Sequence, residues 1–234
     1  MNKTLILVVF IILCCELMGQ SKFHIGLEGS NKITWFNTDE KYVNTDGIRY
    51  GGGVQLSFDY NFTENYILSF GLGLSGLGGK TQFVDSLPYF ETRDSIYSIP
   101  PYATITNKLE CFTLPLALKL RTNEIGNGNI RLYGKIGMRL HIRSKVKGDI
   151  EIESEARFLE GENMTKELTF FSLTSPILAG MEYPLWGNTR LILELGYDHG
   201  WTSISNQIKG EDGKMSKRRN VTMSYLSFNT GILF

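Results

Sequence analysis

Residues 130–143, IRLYGKIGMRLHIR, decide the fold because the two faces of this segment have opposite character. Apolar side chains occupy alternating positions on one face: Ile130, Leu132, Ile136, Met138, Leu140 and Ile142. The other face is mainly basic, with Arg131, Tyr133, Lys135, Arg139, His141 and Arg143. A period of two residues indicates a β-strand. A soluble core buries such charges only at a large desolvation cost, whereas a membrane β-barrel turns them inward and gives its apolar face to lipid.

The same alternation recurs along the chain and gives eight predicted strands in total. The other seven runs are KFHIGLEGS, RYGGGVQLSFDYNF, YILSFGLGLSG, FTLPLALKLR, FFSLTSPILAGMEYP, RLILELGYDHG and NVTMSYLSFNTGILF. Several contain ten or more residues, although strands of soluble sheets usually have five or six. A tilted strand that crosses a membrane needs about nine to eleven residues. The strand lengths therefore favour a membrane-spanning sheet.

The connections between these runs alternate between long and short. The long ones cover about residues 37–48, 79–107, 144–167 and 203–219, and the short turns are YNFTEN, TNEIGNGN and PLWGNT. Outer-membrane barrels have long extracellular loops and short periplasmic turns. We predict an all-β fold, an eight-stranded antiparallel transmembrane β-barrel with up-and-down meander topology. It lies in the bacterial outer membrane with both termini in the periplasm.

Two soluble folds also show alternating strands. A β-sandwich does not predict strands this long or loops that alternate in length. A lipocalin-type barrel has its apolar face inside and its polar face outside.

The final residue, Phe234, belongs to the apolar face of the closing run. Barrel closure would pair this run with the first strand, and a terminal aromatic residue resembles the signal that the outer-membrane assembly machinery recognises.

The first 19 residues are typical of a secretory signal peptide. Lys3 precedes a nine-residue apolar run, LILVVFIIL, which is too short to span a bilayer as a helix. We place the cleavage after Gly19, which divides the chain into a signal peptide, 1–19, and a barrel domain, 20–234. A lipoprotein signal ending at Cys15 is the competing interpretation. After cleavage at Gly19, Cys111 is the only cysteine, so no internal disulfide is possible.

The balance of charge limits the possible partners. The chain has 24 basic and 24 acidic residues. A nucleic-acid-binding protein would have a clear basic excess, so we expect no nucleic-acid partner. The partners that remain are outer-membrane lipid, lipopolysaccharide and the outer-membrane assembly machinery.

The charged side chains of the inward face are the candidate site residues. The interior of an eight-stranded barrel is narrow and filled by side chains, and buried charges must be paired. We predict a structural charge network in the lumen, made of Glu28, Asp59, Lys119, Arg121, Arg131, Lys135, Arg139, His141, Glu194 and Asp198. A conduit or binding site for an anion is the alternative interpretation of the same residues.

Signals for catalysis and for cofactors are weak. Asp198, His199 and Ser203 fall within YDHGWTS, but a regular strand turns Asp198 and His199 to opposite faces. The scattered histidines and the single mature cysteine do not have metal-ligand spacing. The run GLGLSGLGG lacks the Lys-Ser/Thr ending and the following helix of a phosphate loop. We therefore predict a non-enzymatic protein without a metal or a cofactor.

Three segments resemble the PorT-like outer-membrane β-barrels of Bacteroidota-type bacteria. They are FTLPLALKL, LYGKIGMRL and LELGYDHGWTSIS, in which Trp201 and Ser203 stand where the family usually has Leu and Asn. The resemblance covers the whole mature chain, and its motifs concern architecture more than activity. It implies an eight-stranded barrel, and the founding member of the family is tied to the type IX protein secretion machinery.

The resemblance implies support of protein secretion or envelope assembly through partner contacts, with secretion-machinery proteins among the partners. A small-solute or anion channel is one alternative. A surface adhesin or receptor that acts through its long loops is another. The segment 79–107 contains Tyr89, Tyr97 and Tyr102 together with Phe83 and Phe90, which suits either protein and glycan contact or a self-packed cap over the barrel mouth. The charged segment 209–220 is typical of solvated surface and could also meet lipopolysaccharide phosphates.

Overall fold

The computed structural model describes residues 22–41, 43–45, 47–93, 95–126, 128–152, 157–206 and 220–234. The predicted signal peptide, 1–19, lies outside the described residues. The strands are β1 Phe23–Thr38, β2 Val43–Asn44, β3 Arg49–Asn61, β4 Tyr66–Phe83, β5 Leu87–Glu91, β6 Ile96–Ile99, β7 Thr104–Arg121, β8 Arg131–Ile152, β9 Arg157–Asn163, β10 Phe171–Pro184, β11 Arg190–Gly200 and β12 Val221–Leu233. No helix in the described part of the chain has the length and apolarity to cross a membrane.

Eight long antiparallel strands form a closed ring. Their order around the ring is β1, β3, β4, β7, β8, β10, β11 and β12, and β12 pairs back onto β1 from Gly26↔Leu233 to Thr38↔Val221. The predicted eight-stranded antiparallel meander is confirmed. Closure also holds the last residue, because the backbone N–H of Phe234 donates to the carbonyl oxygen of Ile25 at 2.8 Å. A closed ring leaves no unpaired sheet edge.

The outer surface of the ring is apolar, as a lipid-facing surface requires. Leu116, Ile136, Ile177 and Leu195 expose 54%, 54%, 62% and 65% of their surface, respectively. Large exposed aromatic residues lie at both ends of this surface: Phe62, Tyr66, Trp186 and Phe234 near the short turns, and Tyr50, Phe112, Phe171 and Trp201 at the other end. Such aromatic girdles mark the two interfaces of a membrane barrel. We call the end with the short connections the turn end.

Most of the described residues in the predicted loops 79–107 and 144–167 belong to β-strands, which corrects the predicted loop boundaries. β4 and β7 each have 18 residues and β8 has 22, so these strands continue far beyond the apolar surface. The missed part of β8, KVKGDIEI, alternates as well, but its apolar residues face inward and its charged residues face outward. A β-bulge at Ser144, between the pairs Cys111↔Arg143 and Glu110↔Lys145, reverses the two faces, so even-numbered residues point outward before the bulge and inward after it. We call this projecting end of the barrel the extension.

Short strands complete the extension. β5 and β6 form a hairpin, β9 pairs with β8, and β2 pairs with β4 through Val43↔Phe83. The predicted connection 37–48 thus contains the end of β1 and the whole of β2. Of the predicted connection 203–219, residues 207–219 lie outside the described part.

The interior of the extension holds the main apolar core. We call this cluster the apolar chamber, and it consists of Phe36, Val43, Leu77, Phe83, Phe90, Ile99, Ala103, Ile105, Leu109, Cys111, Val146, Ile150, Ile152, Met164, Leu168, Ile204, Val221, Met223 and Tyr225. Water surrounds the extension, so its inner face is apolar and its outer face is polar. Lipid surrounds the rest of the ring, so the same strands have the reverse arrangement there.

Candidate functional site

The inward faces of the ring strands carry the predicted charged side chains, and alternation along each strand places them there. Of the ten predicted residues, nine are buried: Glu28, Asp59, Lys119, Arg121, Lys135, Arg139, His141, Glu194 and Asp198. We call these nine residues, with Lys32, Tyr133, Glu182 and Tyr225, the lumen network. It fills the membrane-spanning part of the barrel between the turn end and the apolar chamber.

The layer nearest the turn end is centred on Lys119. Its Nζ lies 2.8 Å from Asp59 Oδ2 and 2.5 Å from Glu182 Oε1. Arg121 Nη1 donates to the second oxygen of Glu182 at 3.1 Å, and its other nitrogens donate to the carbonyl oxygen of Glu64. The side chains of Lys119 and Glu182 are both 0% exposed. Both side chains of this ion pair are therefore shielded from solvent on both sides of the layer.

The second layer is built around Glu194. One carboxylate oxygen pairs with Lys135 Nζ and accepts a hydrogen bond from the Tyr133 hydroxyl at 2.8 Å, and the other accepts one from Asn229 at 2.9 Å. The Tyr133 ring fits because Gly180 faces it, and a Cβ at Gly180 would lie 2.6 Å from the ring. Lys119 Nζ lies 4.4 Å from the centroid of the same ring, which joins the first two layers through a cation–π contact.

The third layer pairs Arg139 with Asp198. Arg139 Nη1 donates to Asp198 Oδ2 at 2.8 Å and to the Tyr225 hydroxyl at 3.2 Å. Asp198 Oδ1 accepts a hydrogen bond from Thr174 at 3.3 Å. Tyr225 is completely buried and its ring belongs to the apolar chamber. This residue therefore forms the boundary between the polar lumen and the chamber.

A hydrogen-bonded chain crosses the lumen at the same boundary. His141 contacts Thr174 through Nε2 and Thr113 through Nδ1, each at 3.1 Å. Thr113 donates to Ser75 Oγ at 3.1 Å, and Lys32 Nζ donates to the same oxygen at 2.6 Å. Strands β1, β4, β7, β8 and β10 are thereby tied together across the interior. His141 bonds to hydroxyl groups and forms no ion pair with a carboxylate of the described residues.

Two predicted members are placed differently from the rest. Arg131 is half-buried at the turn end, where it pairs with Glu124 at 3.0 Å and not with a lumen carboxylate. Glu28 is buried, but it forms no salt bridge with any described residue, and its Oε1 accepts no hydrogen bond. Attraction to Lys135 compensates the desolvation of this carboxylate only in part.

The sequence analysis missed Lys32, Glu182 and Tyr225. The alternation that begins in KFHIGLEGS continues to Phe36, and following it further would have placed Lys32 on the inward face. Glu182 lies between Met181 and Tyr183, two outward residues of β10, so the same rule would have found it. Tyr225 shares the inward face of the closing run with Ser227 and Asn229, so the same rule would have found it as well.

The fold does not bring the candidate catalytic residues Asp198, His199 and Ser203 together as a catalytic site. Asp198 is buried in its ion pair with Arg139, whereas His199 faces outward and its ring lies against Tyr197 and Trp201. Ser203 Oγ accepts backbone hydrogen bonds from Ser205 and Val221. The described residues contain no cluster of three or more His, Cys, Asp or Glu side chains that could hold a metal ion.

The apolar chamber contains a cavity of about 40 Å³. Most of its lining is apolar, and Thr81, Asn107, Glu167 and Ser205 are the polar residues at its wall. A water molecule needs roughly 10–15 Å³ on this measure, so the cavity exceeds the space of a single water.

The sequence matches a known family. The sequence model described as outer membrane protein beta-barrel domain matches residues 18–206, which is most of the chain. No curated protein matches.

Several solved outer-membrane proteins align with most of this chain at low sequence identity. Ail, the attachment invasion locus protein of Yersinia pestis, is 13% identical, with 91% of this chain and 99% of that one covered at a TM-score of 0.38. OprG from Pseudomonas aeruginosa is 12% identical, with 92% and 97% covered and a TM-score of 0.43. The protease OmpT from Escherichia coli is 11% identical, with 92% and 96% covered and a TM-score of 0.39.

Proposed function

Because the chain belongs to the outer membrane protein beta-barrel domain family, we propose that it is a non-enzymatic outer-membrane scaffold that supports protein secretion or envelope assembly through partner contacts. The closed lumen is the observation that carries this proposal. Lys119 and Glu182 are 0% exposed in the layer nearest the turn end, and Asp198 is 0% exposed in the third layer. A barrel whose interior is filled by side chains can act on other molecules through the surfaces that it exposes on either side of the membrane.

The extension supplies the surface that such a role requires. Its outer wall carries the charged side chains Glu110, Lys145 and Lys147, and two large aromatic side chains project from it. Tyr102 is 62% exposed and Phe158 is 58% exposed. Exposed aromatic residues surrounded by charged ones are typical of protein contact sites. We place the extension outside the cell and the turn end in the periplasm, as in other outer-membrane barrels.

The resemblance to PorT-like barrels supports protein secretion as the process involved. A barrel of this kind could anchor a periplasmic or surface component of a secretion assembly. Its lumen network would keep the wall rigid and impermeable while the partner is bound. In this proposal the partner binds to the extension or to the short turns, and the lumen takes no part in transport.

Site-specific photocrosslinking in growing cells tests the proposal. A photoreactive amino acid at Tyr102 or Phe158 should crosslink to a defined partner protein. The same residue at Leu116, whose side chain faces lipid, is the matched control and should give no protein crosslink. Deletion of the gene should reduce the set of secreted proteins or disturb envelope composition. Unchanged secretion and an intact envelope after deletion would refute the role.

A surface adhesin or receptor is the second candidate, and the exposed Tyr102 and Phe158 favour it as well. The two candidates differ in the partner that the extension positions reach. Crosslinks to a protein of the same cell support the secretion or assembly role, whereas binding only to host or matrix molecules supports the adhesin. Steady conductance of the purified protein in planar bilayers would instead support a solute or anion channel.

A further inference from the structure

We propose that two copies of this barrel form a two-fold symmetric dimer in the membrane, through the outward faces of β11, β12, β1 and β3. Neither the family match nor the proposed scaffold role assigns this surface. Three observations support it: a polar side chain that faces hydrocarbon without a partner, the self-complementary chemistry of that side chain, and a projecting tyrosine beside a groove.

Polar side chains are rare on the outward surface between the two aromatic girdles. Among the described residues there, they are Asn31 on β1, Thr230 on β12 and Ser175 on β10. Ser175 Oγ donates to the carbonyl oxygen of Gly137 at 2.9 Å. Asn31 and Thr230 are exposed, and neither side chain forms a hydrogen bond with a residue in the described ranges. Because β1 and β12 are neighbours in the ring, these two unpartnered groups belong to one patch.

Asn31 lies deep in the hydrocarbon region. Phe23 and Trp35 are the girdle residues of β1, and Gly29 is midway between them. A tilted strand advances about 2.5 Å per residue across the bilayer, so Asn31 lies about 5 Å from the midplane and about 10 Å from the girdle at Trp35. Lipid tails have no hydrogen-bonding group at this depth, and an unpaired amide is costly there. A protein partner would supply the missing hydrogen bonds.

A second copy of the chain suits this amide. Asparagine carries both a donor and an acceptor, so two Asn31 side chains can exchange two hydrogen bonds. Copies of a membrane protein share one orientation, so the two-fold axis of a dimer is parallel to the membrane normal. Such an axis keeps every residue at its own depth and brings Asn31 against Asn31. The adjacent Gly29 permits a close approach, because only the carbonyl oxygen of Thr230, at 3.9 Å, lies within 4 Å of a Cβ placed there.

The surface around Asn31 has the shape that this symmetry requires. Tyr50 on β3 is 73% exposed and projects on one side of β1. A groove of about 710 Å³ extends from Tyr50 across β1 and β12 to Leu195 and Ile177. A two-fold axis at β1 places the β3 side of each copy against the β12 side of the other, so each Tyr50 faces the groove of the other copy. Because Tyr50 itself borders the groove, the ring and the groove lie at similar depths.

Resonance energy transfer between dye-labelled barrels in lipid vesicles tests the dimer. The mature chain carries a donor or an acceptor dye at Phe158→Cys, on the extension and away from β1, and dilution with lipid gives the association constant. The chain without further changes should form dimers. Gly29→Trp adds a ring where the monomer has open space and should abolish them. Asn31→Leu removes the amide at nearly constant volume and should lower the association constant about tenfold, the effect of losing two weak hydrogen bonds in a membrane.

Gly134→Trp is the matched control. Gly134 is an exposed outward glycine of β8, on the far side of the ring from β1, and a Cβ there has no neighbour closer than 3.8 Å. This variant should dimerise like the unchanged chain. Heat-modifiable gel mobility shows that each variant is folded, and Asn31→Leu decides the result if Gly29→Trp does not fold. Energy transfer no greater than that of randomly distributed barrels at every lipid ratio would overturn the proposal. Undiminished dimerisation of folded Gly29→Trp or Asn31→Leu would also overturn it.

Discussion

The ammonium group of Lys119 lies 2.5 Å from a carboxylate oxygen of Glu182, and the side chains of both residues are fully buried. The two residues belong to β7 and β10, which do not pair with each other in the sheet. Their contact therefore passes over the inner face of β8 and braces the barrel from inside. Asp59 on β3 completes the bridge from a third direction.

Loss of the Lys119 charge should destabilise the barrel strongly. Lys119→Met leaves Asp59 and Glu182 buried without their shared cation, and breaking a buried pair in this way costs about 3–5 kcal/mol of unfolding free energy. Urea unfolding in lipid vesicles, followed by tryptophan fluorescence, measures the change. Lys108→Met is the matched control, because Lys108 pairs with Asp149 while 40% exposed, and this change should cost less than about 1 kcal/mol. Equal effects of the two substitutions would contradict the bracing role.

Neutralising Glu28 should raise the free energy of unfolding, whereas loss of the Lys119 charge lowers it. Its Oε1 accepts no hydrogen bond, so the buried charge is poorly compensated. Glu28→Gln removes that charge with little change in volume and should raise the unfolding free energy by about 1 kcal/mol. The same urea experiment measures it, with Glu194→Gln as the paired counterpart. Glu194 is bonded to Lys135, Tyr133 and Asn229, so its neutralisation should destabilise the protein. A clear loss of stability in Glu28→Gln would show that attraction to Lys135 outweighs the desolvation of the carboxylate.

Apolar side chains should contribute more to the free energy of unfolding in the extension than on the lipid-facing surface. Ile150 is 0% exposed in the apolar chamber, and Ile150→Ala should cost about 2–5 kcal/mol because a cavity remains. Ile136 is 54% exposed on the lipid-facing surface, where lipid fills the vacated space. Ile136→Ala should therefore cost less than about 1 kcal/mol. Unfolding midpoints of the two variants in one lipid composition decide the matter, and a reversed order would mean that the apolar face of the extension points outward.

The thiol of Cys111 should be protected in the folded protein. Cys111 is 3% exposed and packs in the apolar chamber. A maleimide reagent should label it only after denaturation, because the reagent cannot enter a packed core. Ser144→Cys places a thiol on the exposed outer face nearby and should react quickly in the native state. Rapid labelling of Cys111 in the folded wild type would show that the chamber opens to solvent.

Alternation in the sequence predicted the ring strands and their inward residues because neighbouring side chains of a strand point to opposite faces. Lys119, Lys135, Arg139 and Glu194 were placed in the lumen by this rule alone. The rule was not applied beyond residue 143, because the segment 144–167 was predicted to be a loop. Val146, Ile150 and Ile152 alternate regularly, yet water replaces lipid around them and they face inward.

The alternation along the chain was enough to predict a closed barrel with an apolar outer surface, a charged lumen and a paired final strand. These properties depend on local periodicity, which a single sequence displays. Only the tertiary structure decided the partners within the lumen, the length of the extension and the cavity at Asn107. Lys119 and Glu182 are separated by many residues along the chain, and their contact depends on barrel curvature and strand register, which the alternation of one strand does not encode.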